Sequence, residues 1–172
     1  MIVSLPRRGS RGSVACMTIR PATKDDVPAV CRMVDKLAKL HERWDPVRYD
    51  YRPDVGQMYS HWLTARAVDG QSVFLVAERE SGVLAGFVVG TLDKPIPIYR
   101  IARFGFIHDL WVEEAYRNEG IARQMTMLVM EKFSAMGATQ VRLETAAANE
   151  SARKLFESCG FAVSTIEMLL EL

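Results

Sequence analysis

At 172 residues the chain fits one domain with enough mass to bury a real core. It is 49% hydrophobic and 25% charged, with 22 basic residues against 21 acidic for a net charge of +1. Nothing in that interspersed balance suggests nucleic acid as the main partner, and no apolar stretch approaches the 18 residues of a membrane span. Three cysteines (Cys16, Cys31 and Cys159), odd in number and without metal spacing, fit a reducing cytoplasm and predict no metal site.

Residues 1–16 differ from the rest: Arg7, Arg8 and Arg11 lie among Gly9, Ser10, Gly12 and Ser13, the composition of a flexible basic arm. No apolar segment follows the arginines, so the arm is a poor signal peptide. The domain proper is expected over residues 17–172, opening on a short strand that ends at Pro21. Thr23 and Asp26 then carry a helix-start signature, and Val27, Val30, Cys31, Val34, Leu37 and Ala38 predict a helix over residues 24–41. A second helix is predicted from about Asp54 through Tyr59, Trp62 and Leu63 to Gly70. Residues 73–78 and 83–92 read as a hairpin around Ser81-Gly82.

Residues 104–112, Phe-Gly-Phe-Ile-His-Asp-Leu-Trp-Val, are β-branched and aromatic, and two glutamates close them as a buried strand. From Ile121 apolar residues recur at Met125, Leu128, Val129, Phe133 and Met136, one helical face ended by Gly137. Between strand and helix lies Arg117-Asn118-Glu119-Gly120-Ile121-Ala122. A glycine turn that opens a helix presents unpaired backbone N–H groups at the positive end of the helix dipole, which suits an anion and phosphate above all. A strand over residues 140–145 follows, then a helix capped by Asn149 and closed by Gly160. Residues 161–163 and 165–172 are predicted as final strands, with Ile166, Met168, Leu170 and Leu172 on one face. The element order predicts an α/β domain: a single mixed, mostly antiparallel central sheet with helices on both faces.

The loop lacks the three glycines of a dinucleotide fingerprint and the Gly-Lys-Ser/Thr of a nucleoside-triphosphate loop. It resembles the pyrophosphate loop of the GCN5-related N-acetyltransferase (GNAT) superfamily, Gln/Arg-x-x-Gly-x-Gly/Ala, with Arg117, Gly120 and Ala122 in its fixed positions. A second resemblance runs from Asn149 to Phe161, where the family writes Asn-x-x-Ala-x-x-x-Tyr-x-x-x-Gly-Phe. Phe156 stands here in place of the tyrosine. The likeness implies an acyl-CoA N-acyltransferase fold from about Met17 onward and the use of acetyl-CoA. It further implies a pyrophosphate site over Arg117, Asn118, Glu119, Gly120, Ile121, Ala122 and Arg123, and a pantetheine site along Leu110, Trp111, Val112, Asn149 and Phe156. Locally, Asn149 is equally well read as a plain helix cap.

Acetyl transfer needs a neutral amine, yet an alkylammonium of pKa about 10.4 is neutral in only about one molecule in 2,000 at pH 7. His108 and Asp109 precede Leu110 where family members place an acidic residue, so both are candidate bases; strand alternation predicts that one of the two faces the cleft. Trp44, Asp45, Tyr49, Tyr51 and Asp54 offer an aromatic, acidic rim for a cation, while His61 and Trp62 read as half-buried packing residues. The implied acceptor is a primary amine of a small molecule or peptide, attacking directly in a ternary complex. A protein N-terminal or lysine acetyltransferase and a non-catalytic acyl-CoA-binding domain stand as alternatives. No nucleic-acid or membrane partner is expected, and a homodimer is left open.

Overall fold

The sheet is built outward from a hairpin whose two apolar runs are buried on both faces. The computed structural model describes residues 3–4 and 17–172. Strands β3 (Ser72–Arg79) and β4 (Leu84–Asp93) pair antiparallel around Gly82, whose φ of 77° and amide bond to Arg79 O at 2.8 Å make the turn. Val73 through Ala77 and Ala85 through Thr91 are all buried, as expected for strands with helices on either side. With β1 (Val3–Ser4), β2 (Met17–Pro21), β5 (Phe104–Val112) and β6 (Val141–Leu143) they form one sheet of six strands, ordered β1 to β6. Every neighbouring pair is antiparallel except β5 and β6, which helix α3 (Ile121–Ala135) connects as a parallel crossover. The sheet thus takes Val3 and Ser4 from the basic arm; the rest of the arm lies outside the described residues.

Helices α1 (Val27–Trp44) and α2 (Val55–Arg66) cover one face, where Val30, Val34, Leu37 and Leu63 meet Phe74, Val76, Phe87, Val89 and Trp111. Helix α3 covers the other, packing Met125, Val129 and Phe133 on Ile19, Leu75, Val88 and Ile107. The start of α1 is fixed by Asp26, whose carboxylate accepts from the Thr23 amide at 2.7 Å and from both Arg20 terminal nitrogens at 2.8 and 2.9 Å. The Arg20 guanidinium holds the Asp26 carboxyl below its ordinary pKa. Gly137, at φ 86°, ends α3 with the paired Ala138-to-Phe133 and Gly137-to-Ser134 bonds of a Schellman motif, both 3.0 Å. Helix α4 (Glu150–Ser158) closes the same way at Gly160.

Phe133 lies flat on two glycines. A Cβ at Gly105 would run into its ring, and one at Gly90 would crowd it at 2.9 Å. Gly105→Val is therefore expected to destabilise the fold by about 1–3 kcal/mol through overpacking. Urea unfolding measures this, and an unchanged midpoint would show that α3 rides over the sheet without that contact.

The predicted final strands do not form. From Phe161 to Leu172 the backbone pairs with no strand among the described residues, and Ile166, Met168, Leu170 and Leu172 are 82–111% exposed. Alternation defines a face only where an adjacent strand offers a ladder, and β6 is three residues long. In the tail, Glu167 pairs with Arg48 at 2.8 Å, and the same guanidinium reaches Glu144 at 3.8 Å; both are exposed contacts that contribute little. No helix among the described residues is long and apolar enough to cross a membrane.

Candidate active site

Strands β5 and β6 stay together for only three residue pairs: Gly105 with Val141, Phe106 with Arg142, and Ile107 with Leu143. Beyond them, the edge of β5 from His108 to Val112 has no strand beside it among the described residues. Its unpaired backbone groups can receive an extended chain. A 3-10 turn, Glu114–Tyr116, then carries the backbone to the loop before α3. Asn118 (φ 65°) and Gly120 (φ 80°) are both left-handed, which turns the chain sharply into the helix. The first helical bond runs from the Gln124 amide to Gly120 O at 3.1 Å, so the amides before it point out of the helix end. Nothing lies within 3.4 Å of a Cβ position at Gly120, so the approach to those amides is open.

The loop's charged side chains are engaged elsewhere. Arg117 donates from Nε to Val112 O at 3.0 Å and lies 4.7 Å over the Trp111 ring, pinning the loop to the end of β5. That bond occupies one carbonyl expected to serve pantetheine. Glu119 pairs with Arg79 at 2.8 Å, and Arg123 reaches Ser158 O at 3.3 Å. The groups this loop leaves free for a ligand are therefore the backbone amides around Gly120, Ile121 and Ala122, with Ile121 buried as the anchor. Asn149 is a helix cap, accepting from the Ala152 amide at 3.1 Å, and Phe156 is buried with its ring 5.6 Å from Phe161.

The candidate bases differ from the alternating pattern. Val89 faces Asp109, yet the next residue, Gly90, faces Ile107, so His108 is an extra residue in β5. This β-bulge cancels one step of alternation. Both side chains consequently contact the α2 side: Tyr59 of α2 donates to Asp109 Oδ2 at 2.8 Å, and Trp62 of α2 meets the His108 ring edge-on at 5.2 Å. Burial pushes the Asp109 carboxyl above its ordinary pKa, against the opposing hydrogen bond from Tyr59. Burial also drives the Tyr59 hydroxyl up, helped by the Asp109 charge, so it stays a donor. The His108 imidazole is pushed down by burial, with Asp93 opposing and Arg66 reinforcing the shift. No protein group donates to Asp109 Oδ1 among the described residues.

A strand feeding through a glycine turn into a helix end, beside a parted pair of strands, agrees with the comparisons to known proteins. The acetyltransferase (GNAT) family model matches residues 35–161. The chain belongs to the GNAT family. Human N-acetyltransferase 8 is 32% identical over 108 residues, which are 63% of this chain and 44% of that protein. The chain spans about half or less of the length of the curated relatives it matches. A mutant of the BH1408 protein from Bacillus halodurans superposes with a TM-score of 0.81 at 22% identity, covering 90% of this chain and 98% of that one. AAC(6')-Iy, solved in complex with the bisubstrate analog CoA-S-monomethyl-acetylneamine, superposes with a TM-score of 0.67 at 15% identity over 91% and 97%.

In this GNAT chain the expected rim is a packed aromatic cluster centred on His41. Its ring lies 4.7 Å from Tyr49, 5.6 Å from Trp44 and 6.4 Å from Tyr51, and Nδ1 is 3.3 Å from the Tyr51 hydroxyl. Burial raises the Tyr51 hydroxyl pKa, and the Asp109 charge adds to it. Asp45 is used locally, accepting from the Arg48 amide at 3.0 Å, and Asp54 stands at the start of α2. Trp62 is half-buried as expected, whereas His61 is exposed. The contacts of Tyr59 with Asp109 and of Thr91 with His108 had no local signal, because both join residues distant in the chain.

Proposed function

We propose that this chain transfers the acetyl group of acetyl-CoA to a primary amine of a small molecule or peptide, by direct attack in a ternary complex. One observation carries the reading: the bulge turns Asp109 and His108 to the same side at the head of the unpaired β5 edge, with the glycine-turn start of α3 at its foot. When bound, acetyl-CoA supplies the activated thioester. Backbone around Gly120, Ile121 and Ala122 fits its pyrophosphate, and the β5 edge at Leu110 fits its pantetheine amides. Trp111 and Val112 hold that edge in place from the two opposite cores. A neighbour of the same fold was solved with a CoA adduct, which supports the same use here.

Asp109 draws the cationic amine, and two acceptors without a protein partner among the described residues, Asp109 Oδ1 and His108 Nδ1, stand to receive its proton. In this reading, as the family resemblance implies, a backbone N–H near Leu110 donates to the acyl oxygen. The aromatic cluster around His41 walls the acceptor side and favours a cation over a neutral or anionic substrate.

The resemblance implies that a tyrosine at position 156 would protonate the departing thiolate, and Phe156 has no such proton to give. A thiol of pKa about 8.5 makes a fair leaving group near neutral pH, whereas an amine at about 10.4 gets no such help. Loss of an acid at this position therefore costs less than loss of the base. In a thiol-release assay over a panel of primary amines, the wild type is expected to turn over, and Phe156→Tyr to match or exceed it. Tight acetyl-CoA binding with no turnover of any amine would leave only an acyl-CoA-binding domain. A large loss in Phe156→Tyr, with binding intact, would show that the buried ring has no room for the hydroxyl.

A further inference from the structure

His108 ends a chain of three groups, running from Asp93 through Thr91, that determines where its proton sits. Thr91 Oγ1 lies 3.0 Å from Asp93 Oδ1 and 2.8 Å from His108 Nε2. A carboxylate only accepts, so the single hydroxyl proton of Thr91 is committed to Asp93. Toward His108 the same oxygen can then only accept, and Nε2 must be the nitrogen that carries hydrogen. A neutral imidazole has one N–H, which leaves the lone pair on Nδ1. The ring is kept in this orientation by Trp62, edge-on at 5.2 Å and 82°, and by Phe106 at 5.0 Å. No protein group is hydrogen-bonded to Nδ1 among the described residues.

We propose that Thr91 and Asp93 are positioning residues that fix His108 as the Nε2–H tautomer, so that Nδ1 is the atom that accepts the proton of the amine. The proposal rests on the reading of His108 as a base. The amine N–H bond breaks as its electrons stay on nitrogen, and the proton adds to Nδ1, giving an imidazolium. Its positive charge is favoured by Asp93 at the end of β4 and opposed by Arg66 on α2. Desolvation of the ring pushes the His108 pKa down, with Asp93 opposing the shift.

The tautomer can be read without any substrate. The chain has three histidines, so nitrogen-15 labelling of histidine gives three ring systems, and His108→Asn identifies the one that matters. In the wild type, two-bond nitrogen–proton spectra are expected to show a protonated Nε2 and a lone-pair Nδ1 for His108. Thr91→Val, nearly isosteric and without the hydroxyl, is expected to move both nitrogens toward a mixture of tautomers, and Thr91→Ser to restore the wild-type pattern. Asp93→Asn is expected to lower the pH at which the ring titrates. A wild-type proton on Nδ1, or ring shifts unchanged by Thr91→Val, would overturn the proposal. In turnover, kcat/KM of Thr91→Val is expected to fall about tenfold, less than the roughly 10²–10⁴ of losing a base outright. Thr91→Ser is expected to recover that loss. A disturbed tautomer with unchanged kcat/KM would keep the relay and overturn the assignment of the base to His108.

Discussion

Asp109→Asn is expected to lower kcat/KM by about 10²–10⁴, through loss of the charge that draws the amine to the paired acceptors Asp109 and His108, while leaving the acetyl-CoA dissociation constant unchanged. The substitution keeps the shape of the side chain and still accepts from Tyr59, so only the charge and the basic oxygen are lost. The same variant is expected to be more stable than the wild type at neutral pH. Burial raises the Asp109 pKa in the folded chain, so its ionised form is disfavoured there relative to the unfolded state. The stability the neutral carboxyl contributes is complete below the unfolded pKa of about 3.9 and is lost as pH rises through the folded value. The Tm of Asp109→Asn should therefore approach that of the wild type in acid and exceed it once the wild-type carboxyl has ionised. A gain in stability with a loss of turnover is the signature of a charge kept for chemistry. Wild-type activity in both Asp109→Asn and His108→Asn across about pH 6 to 9 would place the base elsewhere.

Gly120→Glu is expected to abolish measurable acetyl-CoA binding. Two effects act together. The residue sits at φ 80°, where a side chain is strained, and the new carboxylate would face the amides at the start of α3. Gly120→Ala separates them, since it adds the strain with no charge; it should bind more weakly than the wild type but more tightly than the glutamate variant. Isothermal titration of acetyl-CoA into the three proteins reads both. An unshifted dissociation constant in Gly120→Glu would mean that the pyrophosphate lies away from this loop.

Legibility in the sequence followed the range of the forces involved. Strand β5 is read between its observed ends, Phe104 and Val112, because a β-branched and aromatic run closed by two glutamates is a local signal. Helix α3, its glycine entry and its Gly137 stop are likewise written in neighbouring residues. The bulge at His108 is not, since it exists only in the register of β5 against β4, and without it alternation sends His108 and Asp109 to opposite faces. The tail misled for the same reason in reverse: residues 165–172 alternate well but have no ladder to join. Arg117 was legible as part of the loop, but its packing on Trp111 was not, because a guanidinium can serve either a phosphate or a ring.

The most direct measurement is a crystal structure of the chain with coenzyme A and an amine acceptor bound. The pyrophosphate is expected on the amides around Gly120, Ile121 and Ala122, the pantetheine along the free edge of β5 at Leu110, and the amine nitrogen within hydrogen-bond reach of Asp109 Oδ1 or His108 Nδ1. A pyrophosphate bound away from the start of α3, or an amine on the α3 face of the sheet, would contradict it.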